Sequence, residues 1–134
     1  MITHSQRQTI AFGKKIAAEL KGGDIVLLQG ELGAGKTVLT KGIAQGLGIT
    51  DNITSPTFTL MNIYKDGKLV HIDTYRLENE KQLIEIGVED YLGNPNSICV
   101  IEWPEKVRGL LKGKRVKKIK IEHLDKGRKI VLNS

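Results

Sequence analysis

The stretch Gly30-Glu31-Leu32-Gly33-Ala34-Gly35-Lys36-Thr37 fits the phosphate-binding pattern G-x-x-x-x-G-K-[ST] without a mismatch. The residues before it, 24–29, are mostly apolar and predict a short buried strand. The residues after it, 38–47, carry apolar side chains at helical spacing. A strand, a glycine-rich loop and a helix in this order are the setting that the pattern requires, so the sequence predicts a nucleoside triphosphate site.

The residue types in this loop match the chemistry of phosphate binding. Glycine lets the backbone curl so that successive N–H groups point at phosphate oxygens, and the helix N-terminus adds partial positive charge. Lys36 supplies a mobile positive charge for the β- and γ-phosphates, and the Thr37 hydroxyl is placed to hold Mg²⁺.

The segments that flank this unit predict a first helix and a polar loop. Ser5 and Gln8 match the S-x-x-Q capping box, and apolar residues at helical spacing continue until Gly22-Gly23 stops the helix. After the second helix, residues 50–57 form a loop rich in hydroxyl groups. Such a loop is either a sensor of the γ-phosphate and its metal or an ordinary connector, and the spacing leaves both open.

Two hairpins make the predicted sheet mixed rather than wholly parallel. Residues 57–64 alternate as a strand, Asp66-Gly67 carries a hairpin signal, and residues 69–73 return as the second strand. Residues 116–122 and 129–132 alternate as a closing hairpin. With the helices, this predicts an α/β domain with a mixed, mainly parallel sheet and helices on both of its faces.

Further apolar residues predict the rest of the core. A helix or helical turn packing on the sheet is predicted from Leu83, Ile84, Ile86, Val88 and Leu92. Trp103 is either a core residue or a surface contact, with the core favoured, and Pro104 suits the first position of a short helix. Cys99 lies in an apolar run and is predicted to be a small core residue rather than a nucleophile.

Two carboxylates stand at predicted strand ends, where acidic residues beside a phosphate loop hold the metal's water shell or orient the attacking water. Asp73 ends the strand of residues 69–73, and Glu102 follows the apolar strand of residues 98–101. Either one suits the magnesium partner, and spacing does not separate them. Asp90 and Glu105 are interpreted as charges at helix ends.

Length and composition set the class of protein. The chain has 134 residues and a net charge of +6, which predicts one domain spanning residues 1–134 with a moderately basic surface. Much of the basic charge lies in the last quarter, where a solvated hairpin face is favoured over direct nucleic-acid contact. No apolar stretch reaches the length of a membrane span, and no signal-peptide core is present. We therefore expect a soluble cytoplasmic protein.

Four motifs in this order resemble one family. They are the phosphate loop at residues 30–37, Ser-Pro-Thr-Phe-Thr-Leu at 55–60, His-Ile-Asp-Thr-Tyr-Arg-Leu at 71–77 and Ile-Glu-Trp-Pro-Glu at 101–105. The first motif is generic, whereas the other three are specific. The chain resembles the TsaE family, also known as YjeE or YdiB, which comprises small bacterial ATPases of tRNA threonylcarbamoyladenosine synthesis.

This resemblance implies a P-loop nucleoside triphosphate hydrolase fold and an ATPase that uses ATP and Mg²⁺. It implies TsaB and TsaD as protein partners, whose complex places threonylcarbamoyl on the adenosine next to the anticodon. The ATP cycle resets this complex rather than performing the transfer, and hydrolysis by the chain alone is expected to be weak. The resemblance implies that the chain acts on tRNA through this complex, and it leaves open whether the chain contacts tRNA directly.

The resemblance also implies site residues. The phosphates are assigned to Glu31, Leu32, Gly33, Ala34, Gly35, Lys36 and Thr37, and the metal to Thr37 and Glu102. Lys36, Asp73 and Glu102 are the catalytic set, with Asp73 supporting the metal's water shell or the attacking water. Ser55 and Thr57 belong to a nucleotide-sensing loop. Adenine-side contacts are expected from Gln6 and from Arg128 in Gly127-Arg128.

Three other classes of protein share part of this pattern. A small GTPase-like switch would carry an Asn-Lys-x-Asp segment and a glycine three residues after Asp73, where Arg76 stands instead. A small-molecule kinase needs an acceptor pocket and a cationic lid, for which the chain has little length, although Arg76 and Arg108 are candidate charge stabilisers. A third class is a non-catalytic module that only binds the nucleotide and reports its state. Only the rate of ATP hydrolysis with the partner present distinguishes it from a slow ATPase.

Overall fold

A seven-stranded sheet organises the computed structural model, which describes residues 1–31, 35–56 and 59–133. The elements are β1 (Ile2–Thr3), α1 (Gln6–Ala17), β2 (Ile25–Gln29), α2 (Lys36–Gly46), β3 (Met61–Tyr64), β4 (Leu69–Asp73), α3 (Lys81–Glu85), β5 (Ile98–Glu102), α4 (Arg108–Leu111), β6 (Val116–Leu124) and β7 (Gly127–Asn133). Short 3₁₀ turns occupy Lys65–Gly67, Val88–Asp90 and Pro104–Val107.

The strand order is β1-β7-β6-β2-β5-β4-β3. The central strands β6, β2, β5 and β4 run parallel, while β3, β7 and β1 are antiparallel to their neighbours. The mixed sheet with a parallel centre confirms the predicted fold class. Because parallel strands end at the same edge, the carboxyl ends of β2, β5 and β4 lie side by side, which is where ligands bind in open α/β sheets.

Alternation along the central strands builds two hydrophobic clusters, one on each face of the sheet. Val26 and Leu28 of β2 face the cluster that includes α1 and α2. Ile25 and Leu27 face the other cluster, which includes Leu83 of α3. Helices therefore cover both faces, as predicted. Within the described residues, no helix is long and apolar enough to cross a membrane.

The helices α1 and α2 pack with their backbones in close approach. A Cβ atom added to Gly42 would lie 2.3 Å from the carbonyl oxygen of Ile10, and one added to Gly13 would lie 2.6 Å from the carbonyl oxygen of Leu39. Both neighbouring atoms belong to the backbone and cannot rotate away. Glycine at these positions is thus required by helix–helix contact, which seats α2 firmly beneath the phosphate loop.

We expect Gly42→Ala to lower the free energy of unfolding by about 1–3 kcal/mol, because the new methyl group forces the two helices apart. The higher helix propensity of alanine offsets roughly 1 kcal/mol of the clash. Urea unfolding measures the change. The matched control is Gln45→Ala, at an exposed position of the same helix, for which we expect a change within about 0.5 kcal/mol. Equal stability of the two variants would contradict the close helix contact.

Several local predictions are confirmed. Ser5 caps α1, since its Oγ accepts a hydrogen bond from the Gln8 backbone N–H at 3.1 Å. The Gln8 side chain accepts from the His4 N–H at 2.6 Å rather than from the capping residue itself. Cys99 is fully buried, and burial raises the pKa of its thiol to about 12, so it stays protonated at neutral pH and is a core residue. Pro104 opens a 3₁₀ turn.

Other predictions are wrong in extent. The strand predicted for residues 57–64 is confined to β3, because Leu60 has a left-handed backbone (φ 68°) that ends regular pairing; Thr57 and Phe58 lie outside the described residues. The helix or helical turn predicted after β4 is confirmed as the short helix α3 followed by a 3₁₀ turn. Leu83 reaches the core as expected, whereas Ile84 and Ile86 are 42% and 43% exposed instead of packing on the sheet.

Candidate functional site

The predicted phosphate loop connects β2 to α2. Leu32, Gly33 and Ala34 lie outside the described residues, and Glu31 is exposed at the entry to the loop. Gly35 precedes the helix with a φ of 100°, and a Cβ atom there would lie 2.7 Å from Nε of Arg128. Glycine is therefore favoured at position 35 by its backbone conformation, and the Arg128 side chain lies directly beside it.

Lys36 is the first residue of α2, and its side chain is held inside the site rather than in solvent. Only 5% of the residue is exposed, and Nζ donates a hydrogen bond to the Gly30 carbonyl oxygen at 2.5 Å. Nζ also lies 3.7 Å from the centroid of the Trp103 ring, a cation–π contact. Burial lowers the pKa of Lys36, and the carboxylates of Glu102, Asp73 and Glu105 oppose that shift in this order.

Asp73 and Glu102 are directly opposite each other at the ends of β4 and β5. Toward β2, Glu102 is paired with Leu28, which is the penultimate residue of that strand. Both acidic residues are nearly buried, with 4% and 3% of their surface exposed. The parallel register thus brings the two predicted carboxylates to the edge of the sheet where Lys36 lies.

The hydrogen bonds of Asp73 connect it to the hydroxyl-rich loop. Its Oδ2 accepts from the Ser55 hydroxyl at 3.3 Å, and its Oδ1 accepts from the Tyr75 backbone N–H at 2.9 Å. Ser55 is exposed, and the predicted companion Thr57 lies outside the described residues. A loop that contacts a carboxylate of the candidate site can respond to charge placed beside it, which is compatible with the sensing interpretation.

Glu102 is held by a different set of contacts. Its Oε2 lies 2.6 Å from Nε2 of His71, a fully buried histidine in the middle of β4. The Thr74 hydroxyl lies 3.1 Å from the Glu102 carbonyl oxygen and 2.5 Å from that of Trp103. These bonds fix the chain where it leaves β5, and there Trp103 takes a left-handed backbone with φ 60° and ψ 51°.

The assignment of Trp103 to the core is wrong. The residue is half-buried, and its ring packs against Lys36 on one side and the Tyr75 ring at 5.0 Å with an interplanar angle of 44°. The left-handed turn after Glu102 directs the indole into the site instead of the sheet interior. Sequence reasoning had one available signal, since Trp103 directly follows a strand-end carboxylate.

Glu105 also has a role beyond that of a helix-end charge. It lies in the first turn of the 3₁₀ segment, as predicted, but its Oε1 accepts a hydrogen bond from the Gln29 side chain at 3.3 Å. Gln29 is the last residue of β2. Glu105 therefore links the end of the phosphate-loop strand to the turn that carries Trp103.

Of the two predicted adenine-side residues, Arg128 lies beside Gly35 of the loop. β1 pairs with β7, with Thr3 opposite Arg128, so the segment before α1 and the last hairpin are adjacent. Arg128 contacts Gly35, while Gln6 is exposed at the first turn of α1. The pairing of the two chain ends therefore brings Arg128 to the start of α2 and the Thr3 strand beside Arg128.

The donor set suits Mg²⁺ better than a metal held only by protein. Among residues 1–31, 35–56 and 59–133, no group of three or more His, Cys, Asp and Glu side chains could hold a metal ion. The Thr37 hydroxyl and one strand-end carboxylate are oxygen ligands of the kind that Mg²⁺ takes together with phosphate oxygens and waters. Thr37 is half-buried on the first turn of α2.

The parallel strands, the loop between β2 and α2 and the buried lysine at the start of α2 define a domain of the P-loop fold class. The family model described as "Threonylcarbamoyl adenosine biosynthesis protein TsaE" matches residues 3–130. The chain belongs to the TsaE family, which confirms the resemblance seen in the sequence.

Relatives and a solved structure agree with this assignment. The tRNA threonylcarbamoyladenosine biosynthesis protein TsaE of Bacillus subtilis is 41% identical over 116 residues, covering 85% of this chain and 72% of the relative. The protein of the same name from Haemophilus influenzae is 42% identical over 130 residues, covering 92% and 81%. The crystal structure of Bacillus subtilis YdiB matches with a TM-score of 0.81 and 35% identity, covering 100% of this chain and 83% of that one.

Proposed function

We propose that this chain binds ATP with Mg²⁺ and hydrolyses it as the nucleotide-dependent subunit of tRNA threonylcarbamoyladenosine synthesis. It works with the TsaB–TsaD complex, which modifies the adenosine next to the anticodon, and its ATP cycle resets that complex rather than performing the transfer. The observation that carries the proposal is the convergence of Lys36, Asp73 and Glu102 at the carboxyl edge of the parallel strands.

The chemistry assigned to each residue follows from its position. Lys36 binds the β- and γ-phosphates, exchanging its contacts with the Gly30 carbonyl and the Trp103 ring for phosphate oxygens. Thr37 and Glu102 hold Mg²⁺, which when bound neutralises charge on the phosphates. Asp73, linked to Ser55, orients the water that attacks the γ-phosphate.

A site completed by a partner accounts for the expected slow hydrolysis by the chain alone. The hydroxyl-rich loop is exposed at Ser55, whose hydroxyl donates a hydrogen bond to Asp73. A protein that docked beside this loop would exclude water from the phosphates and hold the loop against the carboxylate. The nucleotide state and the partner would thus each strengthen the binding of the other, as linkage requires.

The deciding experiment is ATP turnover with Mg²⁺, measured for this chain alone and with its cognate TsaB and TsaD. We expect strong stimulation by the partners and preference for ATP over GTP in a binding assay. Binding of ATP and of both partners without stimulation would favour a module that only reads the nucleotide state. Preference for GTP would favour the GTPase-like class, and transfer of phosphate to a small acceptor would favour a kinase.

A further inference from the structure

A buried histidine that the proposed function leaves without a role lies behind the site. His71 stands in β4, two residues before Asp73, and is 0% exposed. Its Nε2 lies 2.6 Å from Oε2 of Glu102, whose side chain is 4% exposed. A histidine and a carboxylate this close and this well shielded from water form a strong contact, because the surroundings offer neither group solvent as an alternative partner.

The strand register explains why the two side chains meet. Alternation places His71 and Asp73 on the same face of β4, toward α1 and α2, and Val100 and Glu102 share that face of β5. His71 is paired with Val100, one step deeper in the sheet than the Asp73–Glu102 pair. The imidazole therefore lies beneath the two carboxylates, on the side away from the open edge of the sheet.

The second ring nitrogen indicates which tautomer is present. Nδ1 of His71 is buried and has no hydrogen-bond partner among the described residues. A carboxylate oxygen only accepts hydrogen bonds, so the contact with Glu102 requires a proton on Nε2, whereas Nδ1 has no acceptor for one among the described residues. The bond from His71 then occupies Oε2 and leaves Oε1 as the oxygen that His71 does not engage.

We propose that His71 is a positioning residue that fixes the orientation of the Glu102 carboxylate toward the metal and phosphates. This inference rests on the proposed function, because it assigns a reason for holding Glu102 still. A carboxylate with one oxygen hydrogen-bonded cannot rotate freely, so the other oxygen is presented in one direction. Groups behind a metal ligand that orient it in this way typically change metal affinity or activity by about 10–100-fold when removed.

The test compares two substitutions with a matched control. His71→Gln keeps a side-chain N–H donor that can reach Glu102, whereas His71→Leu keeps much of the volume and removes the donor. Val70→Ala is the control, because Val70 is the fully buried neighbour that faces the opposite cluster. For each protein, partner-stimulated turnover, the Mg²⁺ dependence of ATP binding and the thermal unfolding temperature are measured.

We expect His71→Leu to lower turnover about 10–100-fold and to raise the Mg²⁺ concentration needed for half-maximal ATP binding about tenfold. His71→Gln should restore both quantities to within a few-fold of the unmodified chain. Val70→Ala should lower the unfolding temperature while leaving the Mg²⁺ dependence unchanged. If His71→Leu altered only the unfolding temperature, as Val70→Ala does, the histidine would be a structural residue and the proposal would be overturned.

Two further readouts separate this proposal from the proposed function. If the unmodified chain binds ATP but never hydrolyses it, the ATPase assignment fails, while a Mg²⁺ dependence that shifts in His71→Leu and recovers in His71→Gln still supports positioning. Nitrogen NMR of the histidine rings should show His71 protonated on Nε2 and bare on Nδ1 in the folded protein. Protonation on Nδ1 alone would overturn the hydrogen bond to Glu102 on which the inference depends.

Discussion

Lys36→Ala is expected to weaken ATP binding by about 100-fold or more. Hydrogen bonds to charged groups contribute roughly 1.5–3 kcal/mol each, and losing two of them to phosphate oxygens amounts to at least about 3 kcal/mol. The residue is 5% exposed, so no water-filled space already surrounds its charge, and the truncation removes the lysine cation that lies between the phosphates and the carboxylates of Asp73 and Glu102. Titration calorimetry with Mg²⁺ and ATP measures the dissociation constant directly.

The appropriate control for this change is Lys15→Ala, which removes an exposed lysine from the last turn of α1. It should leave ATP binding within a factor of about two, since exposed charges at a distance are screened by salt. Trp103 is the only tryptophan of the chain, so its fluorescence gives a second signal when ATP draws Lys36 away from the ring. Tight ATP binding by Lys36→Ala would remove the lysine from the proposed phosphate site.

Glu102→Gln is expected to reduce partner-stimulated hydrolysis about 100- to 1000-fold, while ATP binding at saturating Mg²⁺ changes only a few-fold. The amide keeps the size of the side chain and can still accept the hydrogen bond from His71, but it loses the negative charge that the metal requires. Loss of a group that acts on the metal or on the attacking water in the transition state lowers the rate far more than the affinity. Initial rates and dissociation constants, measured on the same preparation, give both effects.

A second carboxylate variant and a control accompany the measurement on Glu102→Gln. Asp73→Asn should also spare binding more than hydrolysis, and the Mg²⁺ dependence of each variant shows which carboxylate is nearer the metal. Glu105→Gln is the control, because Glu105 is exposed and bonded to Gln29, and we expect its turnover to fall no more than a few-fold. Intact stimulated turnover in both Glu102→Gln and Asp73→Asn would mean that neither carboxylate serves the reaction.

Much of the site could be predicted because its signals are local. The glycine pattern, the strand before it and the helix after it act within a few residues of each other, so short-range preferences specify them. Asp73 and Glu102 could be predicted for a related reason, since each is the last residue of a mostly apolar strand. The hairpin at Asp66-Gly67 likewise follows from the backbone preference of two adjacent residues.

Side-chain direction could not be predicted in the same way. Trp103 has a large apolar side chain of the kind that fills a core. Its ring contacts Lys36 because the backbone takes a left-handed turn directly after β5. Ile84 and Ile86 follow the apolar pattern of a packed helix, but Ile84 lies on the exposed side of α3 and Ile86 follows the end of the helix at Glu85, so both stay on the surface. Each outcome depends on where a neighbouring element stops, which the residue's own sequence context does not contain.

The sequence by itself indicated the family, the parallel-centred α/β fold, the candidate phosphate loop and the two strand-end carboxylates, because hydrophobic periodicity and turn preferences act over short spans of the chain. Only the tertiary structure decided which of these groups touch. The parallel register of β4 against β5 sets Asp73 beside Glu102 and brings His71 beneath them, and the pairing of β1 with β7 carries Arg128 to Gly35. Those contacts join residues separated by tens of positions, and burial makes them strong by removing water as a competitor.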